Sequence, residues 1–132
     1  MKILLVDDDP VSLERLRALM RPYGSCSAAK CVECAVDAFT AALEDGEAFD
    51  LVSLDLTLPD GRGDEAIERL RALERRYGLH PSDGARVVVV TGSSQARDVM
   101  RSFRGGASGY LVKPVTSDKL AEVMQAIERD AA

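Results

Sequence analysis

"ILLVDDDP", residues Ile3 to Pro10, joins an uninterrupted apolar run to three successive carboxylates. A run with no polar break reads as a strand buried on both faces, and such strands belong to parallel sheets covered by helices on each side. Asp9 and Pro10 then supply an N-cap and a first helical position. Leu13, Leu16, Leu19 and Met20 follow at helical spacing. The strand–helix reading accounts for Asp9 but leaves Asp7 and Asp8 unexplained. Adjacent negative charges repel, so a fold that gathers them must compensate them.

The same alternation continues along the chain. "SCSAA" (25–29) reads as a weak strand, and residues 32–44 as a helix with Cys34, Ala35, Ala38, Phe39 and Ala42 on its apolar stripe. "DLVSLD" (50–55) is a second buried strand that ends in an acid. "DEAIERLRALERRYG" (64–78) is an amphipathic helix stopped by Gly78, and "ARVVVVTG" (85–92) is the strongest strand pattern. Residues 94–104 carry Val99, Met100 and Phe103 on one helical side. "GYLV" (109–112) is a fifth strand, and residues 116–130 form a last helix with Leu120, Val123, Met124 and Ile127 facing inward. Five strand–helix units predict an α/β fold, with a doubly wound parallel sheet and right-handed crossovers. No repeat, low-complexity segment or internal boundary interrupts the 132 residues, so one domain is expected.

Composition narrows the functional classes. Acidic residues outnumber basic ones by 22 to 17, for a net charge of -5, which argues against direct nucleic-acid binding. No apolar run is long enough to span a membrane, and "MKILLV" lacks the features of a signal peptide. A cytoplasmic location is expected. Cys26, Cys31 and Cys34 are then read as reduced thiols, and the Cys31–Cys34 spacing as two small buried side chains on one helix. His80 is the only histidine, too little to complete a zinc site around that pair.

In doubly wound sheets the site lies outside the carboxyl ends of the strands. There the sequence places Asp7, Asp8 and Asp9 after the first strand, Asp55 at the third, Thr91 at the fourth, and Lys113 and Pro114 after the fifth. Each alone has a plain reading as a cap, turn former or solvated charge. Together they form a cluster of hard oxygen donors suited to Mg2+, with an ammonium and a hydroxyl beside it. That set is equipped to accept a phosphoryl group on a carboxylate, since such transfer is mostly positioning and charge neutralisation.

The motifs "ILLVDDD", "DLVSLDLTLPDGRG", "VVVVTGS" and "GASGYLVKP" resemble, in order and spacing, those of the response-regulator receiver domain of the chemotaxis-regulator type. The resemblance implies a flavodoxin-like (βα)5 fold with strand order 2-1-3-4-5. It implies Asp55 as phosphoacceptor, Asp8 as direct Mg2+ ligand and Asp7 as holder of metal-bound water. It also implies the Thr57 backbone carbonyl as a further ligand, Thr91 and Lys113 as phosphoryl-binding groups, and Tyr110 as a switch aromatic. The Lys113–Pro114 bond is often cis in the family. Implied partners are a sensor histidine kinase or phosphotransfer protein upstream. Downstream, a target protein or second copy would meet the face of the fourth helix, fifth strand and fifth helix around Arg97, Arg101, Arg104, Tyr110 and Lys119. The chain resembles a stand-alone receiver without an output domain, catalysing only its own phosphorylation and dephosphorylation.

Three alternatives stand beside this reading. A flavodoxin-like electron carrier needs a hydroxyl- and glycine-rich phosphate loop where this chain has three aspartates. A haloacid-dehalogenase-type phosphatase needs threonine where Val11 stands. A phosphorylation-independent binding module typically lacks one of the acids, the lysine or the phosphoacceptor, all of which are present here.

Overall fold

The computed structural model describes residues 1–131, with side chains described through Glu128. The chain runs β1 (Lys2–Val6), α1 (Pro10–Met20), β2 (Ser25–Ala29), α2 (Val32–Glu44), β3 (Leu51–Leu54), β4 (Thr57–Leu58), β5 (Gly61–Arg62), α3 (Gly63–Arg76), β6 (Arg86–Thr91), α4 (Ala96–Arg104), β7 (Gly109–Val112) and α5 (Ser117–Ala131). Pairing is parallel throughout the five-stranded sheet, whose order is β2-β1-β3-β6-β7. Numbered by position among these five strands, that is the expected 2-1-3-4-5.

Alternation along the strands builds two cores. Ile3, Leu5, Leu51, Val88 and Val90 face α1 and α5, where they meet Leu13, Leu16, Met20, Leu120, Met124 and Ile127. Leu4, Val6, Val52, Leu54, Val87 and Val89 face the opposite way, against Phe39 of α2 and Ala66, Ile67 and Leu70 of α3. Each fully buried aliphatic side chain contributes roughly 1.5–3 kcal/mol. Both faces are therefore committed, and the polar chemistry is left to the sheet's carboxyl edge.

Some expectations needed correction. α4 begins at Ala96, and its buried residue is Ser102, while Met100 and Phe103 are 52% and 47% exposed. Their spacing marks a common side of the helix, but that side faces outward. The β4–β5 hairpin was not expected, because two-residue strands carry no periodicity. Cys31 and Cys34 are not free buried thiols. They are joined in a disulfide, and Cys34 is exposed. Cys31 caps α2, its Sγ accepting the Cys34 N–H at 3.0 Å, so the spacing that puts two side chains on one helical side here brings two sulfurs together. No helix among the described residues is long and apolar enough to cross a membrane.

Candidate functional site

β1 and β3 are adjacent and paired at Val6 and Leu54, so Asp7 and Asp55 leave the sheet side by side. The ladder continues one step beyond the strands: the Asp55 N–H donates to the Val6 carbonyl and the Asp7 N–H to the Ala29 carbonyl, each at 3.0 Å. Asp7 is 1% exposed and Asp55 8%, while Asp8 is open to solvent. One carboxylate oxygen from each of Asp7, Asp8 and Asp55 lies within 4.8 Å of the other two.

Buried carboxylates need partners. Asp7 Oδ1 accepts the Asp9 N–H at 2.9 Å, and Asp55 Oδ1 accepts the Thr57 N–H at 3.2 Å. Their other oxygens share one donor: Lys113 Nζ lies 2.7 Å from Asp7 Oδ2 and 3.0 Å from Asp55 Oδ2. Burial alone would pull the Lys113 ammonium down, but its hydrogen bonds to the Asp7 and Asp55 carboxylates outweigh it and hold its pKa above the ordinary lysine value. One ammonium faces three carboxylates, so two formal charges remain unmatched. A divalent cation with hard oxygen ligands fits that deficit, and Asp7, Asp8 and Asp55 present the oxygens. Asp9 does not join them. It caps α1, accepting from the Val11 N–H at 3.1 Å and the Ser12 hydroxyl at 3.0 Å.

The remaining edge residues follow from the register. β6 pairs β7 with Thr91 opposite Val112, and the Lys113 N–H donates to the Thr91 carbonyl at 2.8 Å. Thr91 is buried, Thr57 is exposed, and the Lys113–Pro114 bond is cis. Gly63 has a steric reason for its identity. A Cβ there would sit 2.0 Å from the Asp55 carbonyl oxygen, so only glycine lets α3 start against the backbone of the acidic pocket.

A family model described as "Response regulator receiver domain" matches residues 3–125. The chain belongs to this family. As a receiver it is not a conventional enzyme, and its acidic pocket is consistent with Mg2+-dependent aspartyl phosphorylation in two-component signalling. The sensor protein GacS of Pseudomonas syringae pv. syringae is 32% identical over 125 residues, 93% of this chain and 13% of that protein. The two-component response regulator ORR22 of Oryza sativa subsp. indica is 32% identical over 131 residues, 98% of this chain and 17% of that protein. The receiver therefore spans less than a fifth of either relative's length. Among solved structures, the receiver domain of the histidine kinase CKI1 from Arabidopsis thaliana, complexed with Mg2+ and BeF3-, is similar at a TM-score of 0.82 and 23% identity. That match covers 97% of this chain and 89% of the other.

Around the receiver pocket lies a polar network that sequence reasoning missed. Arg62 donates to Asp64 through Nε and Nη2, at 2.9 and 3.2 Å, and the same Nη2 reaches across to Asp98 of α4 at 3.2 Å. Asp98 also accepts the Ser93 hydroxyl at 2.6 Å, and the Tyr110 hydroxyl donates to the Ser93 carbonyl at 2.8 Å. Tyr110 is half-buried and thus tied to the segment between β6 and α4. Asp60, in the β4–β5 turn, caps α2 by accepting from Val32 and Glu33 at 2.7 and 3.0 Å. Arg62 and Asp64 lie two residues apart, but nothing local signals that Arg62 also has a partner 36 residues away in Asp98.

Proposed function

We propose that this chain is a phosphoacceptor module in which Asp55 takes a phosphoryl group from a phosphohistidine of a sensor histidine kinase or phosphotransfer protein. The observation that carries this reading is the convergence of Asp7, Asp8 and Asp55, with Lys113 spanning Asp7 and Asp55. A carboxylate oxygen of Asp55 attacks the phosphorus, the P–N bond of the donor breaks, and the imidazole leaves with its electron pair. The Lys113 ammonium, already within hydrogen-bond range of Asp55, turns to a phosphoryl oxygen and offsets its charge. Thr91 supplies a hydroxyl to another phosphoryl oxygen. Mg2+, held by Asp7, Asp8, Asp55 and the Thr57 carbonyl, would neutralise charge on the transferring group.

Output follows from the same groups. The phosphoryl group is dianionic and seeks donors, drawing Thr91 toward it. Tyr110, on the neighbouring strand, exchanges its bond to the Ser93 carbonyl for an inward position. The face of α4, β7 and α5 around Arg97, Arg101, Arg104, Tyr110 and Lys119 then changes shape for a downstream protein or a second copy. The reading places the chain in the cytoplasm as a single receiver domain, with no direct contact to nucleic acid.

The test is incubation with acetyl phosphate and Mg2+, followed by intact-mass measurement. One added phosphoryl group is expected, absent in chelator and absent from Asp55→Asn. Labelling that persists in Asp55→Asn or proceeds fully without metal would overturn the assignment.

A further inference from the structure

The Cys31–Cys34 pair lies at the start of α2, on the same sheet edge as the acidic pocket but outside it. The bond closes a very short loop, and constraint of the unfolded chain grows with loop length, so structural bracing is its least effective use. α2 does not depend on it. Asp60 takes the Val32 and Glu33 N–H groups, and the Cys31 carbonyl accepts from Ala35 at 3.0 Å. The sulfurs can therefore separate while the first turn stays capped.

The two sulfurs are unequal. Cys34 is exposed to an approaching nucleophile, whereas Cys31 is half-buried. Cys31 Sγ already accepts the Cys34 N–H at 3.0 Å and sits at a helix N-terminus, where negative charge on sulfur is favoured. Neighbouring charges are mixed: Lys30 adjoins the pair, Glu33 is bound by Arg69 of α3 at 2.6 Å, and Asp60 faces the same turn. In a chain assigned to the cytoplasm, a disulfide is expected to be transient and reactive.

We propose that Cys31–Cys34 is a reversible thiol–disulfide exchange site for a dithiol reductant, attacked at Cys34 with Cys31 as leaving group. A thiolate of the dithiol forms a bond to Cys34 Sγ, the Cys31–Cys34 bond breaks, and Cys31 departs as a thiolate. The second thiolate of the reductant attacks its own sulfur in the mixed disulfide and releases Cys34. Two electrons pass from the dithiol to the pair, the reductant becomes the disulfide, and two protons end on the cysteines.

The experiment uses the oxidised full chain with limiting reduced glutathione, a quench with excess N-ethylmaleimide near neutral pH, and peptide mass mapping. Glutathione should occupy Cys34 at least about tenfold over Cys31, with maleimide on Cys31. Dithiothreitol should open the bond without denaturant, and oxidised glutathione should restore it. In Cys31→Ser, oxidised glutathione should add stably to Cys34. Cys26, whose thiol is pushed up by burial, is the internal reference for a slow thiol. Glutathione on Cys31, or a bond that resists dithiothreitol until the protein is unfolded, would overturn the proposal.

Discussion

α3 and α4 are bridged by Arg62, which precedes the first and binds Asp98 of the second, yet they are held by different physics. α3 spans fourteen residues and buries Ala66, Ile67 and Leu70 in the sheet's core. α4 spans nine, buries Ser102, and leaves Met100 and Phe103 about half exposed. What anchors its beginning is polar: Arg62 and Ser93 to Asp98, with Tyr110 on the Ser93 carbonyl. Apolar packing is lost only by opening a cavity, whereas a hydrogen bond can be exchanged for another at small net cost. A helix held in the second way is the one suited to move when charge appears at Asp55, because a switch needs two arrangements of nearly equal energy.

The contrast can be broken at its strongest point first. Ile67→Ala should destabilise by about 2–5 kcal/mol in chemical denaturation. Met100→Ala should stay within about 0.5 kcal/mol. Comparable losses at both positions would erase the distinction. Next in size, Gly63→Ala should cost about 1–3 kcal/mol through the forced clash with the Asp55 carbonyl. The same substitution should slow phosphoryl labelling, whereas Ile67→Ala should not while the chain remains folded.

Asp98→Ala should leave global stability little changed but raise amide exchange across residues 96–104 several-fold. Exchange that rises equally in α3 would show that the two helices open together. The smallest effect concerns pH at α2. The Glu33 and Val32 N–H groups hold the Asp60 carboxyl below its usual value of 3.8. Its stabilising effect is therefore present above about that pH and is lost as pH falls through the lower folded value. The Val32 and Glu33 amide signals should shift in that acidic window and not between pH 5 and 8.

This division between apolar and polar attachment also decided what the sequence disclosed. The unbroken apolar runs of β1 and β6 and the helical spacing of α3 marked fold class and strand positions, because burial imposes a pattern that local sequence must carry. The acidic pocket was legible for a related reason: Asp7, Asp8, Asp55 and Lys113 each end or follow a strand, and strand ends share one edge. The attachment of α4 was not legible. Arg62 and Asp98 leave no local pattern, and the spacing of Met100 and Phe103 gave a helical side but not its direction. The disulfide was missed because a spacing of three fits both two packed side chains and a bond.

The phosphoacceptor reading proposed for Asp55 requires that charge placed there is read out at α4 while α3 stays in place. Amide hydrogen exchange with and without Mg2+ and beryllofluoride tests it most directly. Altered exchange is expected in residues 93–104 and 109–112, none in residues 63–76, and no effect of the reagents in Asp55→Asn. Unaltered exchange in residues 93–104, or the same alteration in Asp55→Asn, would contradict it.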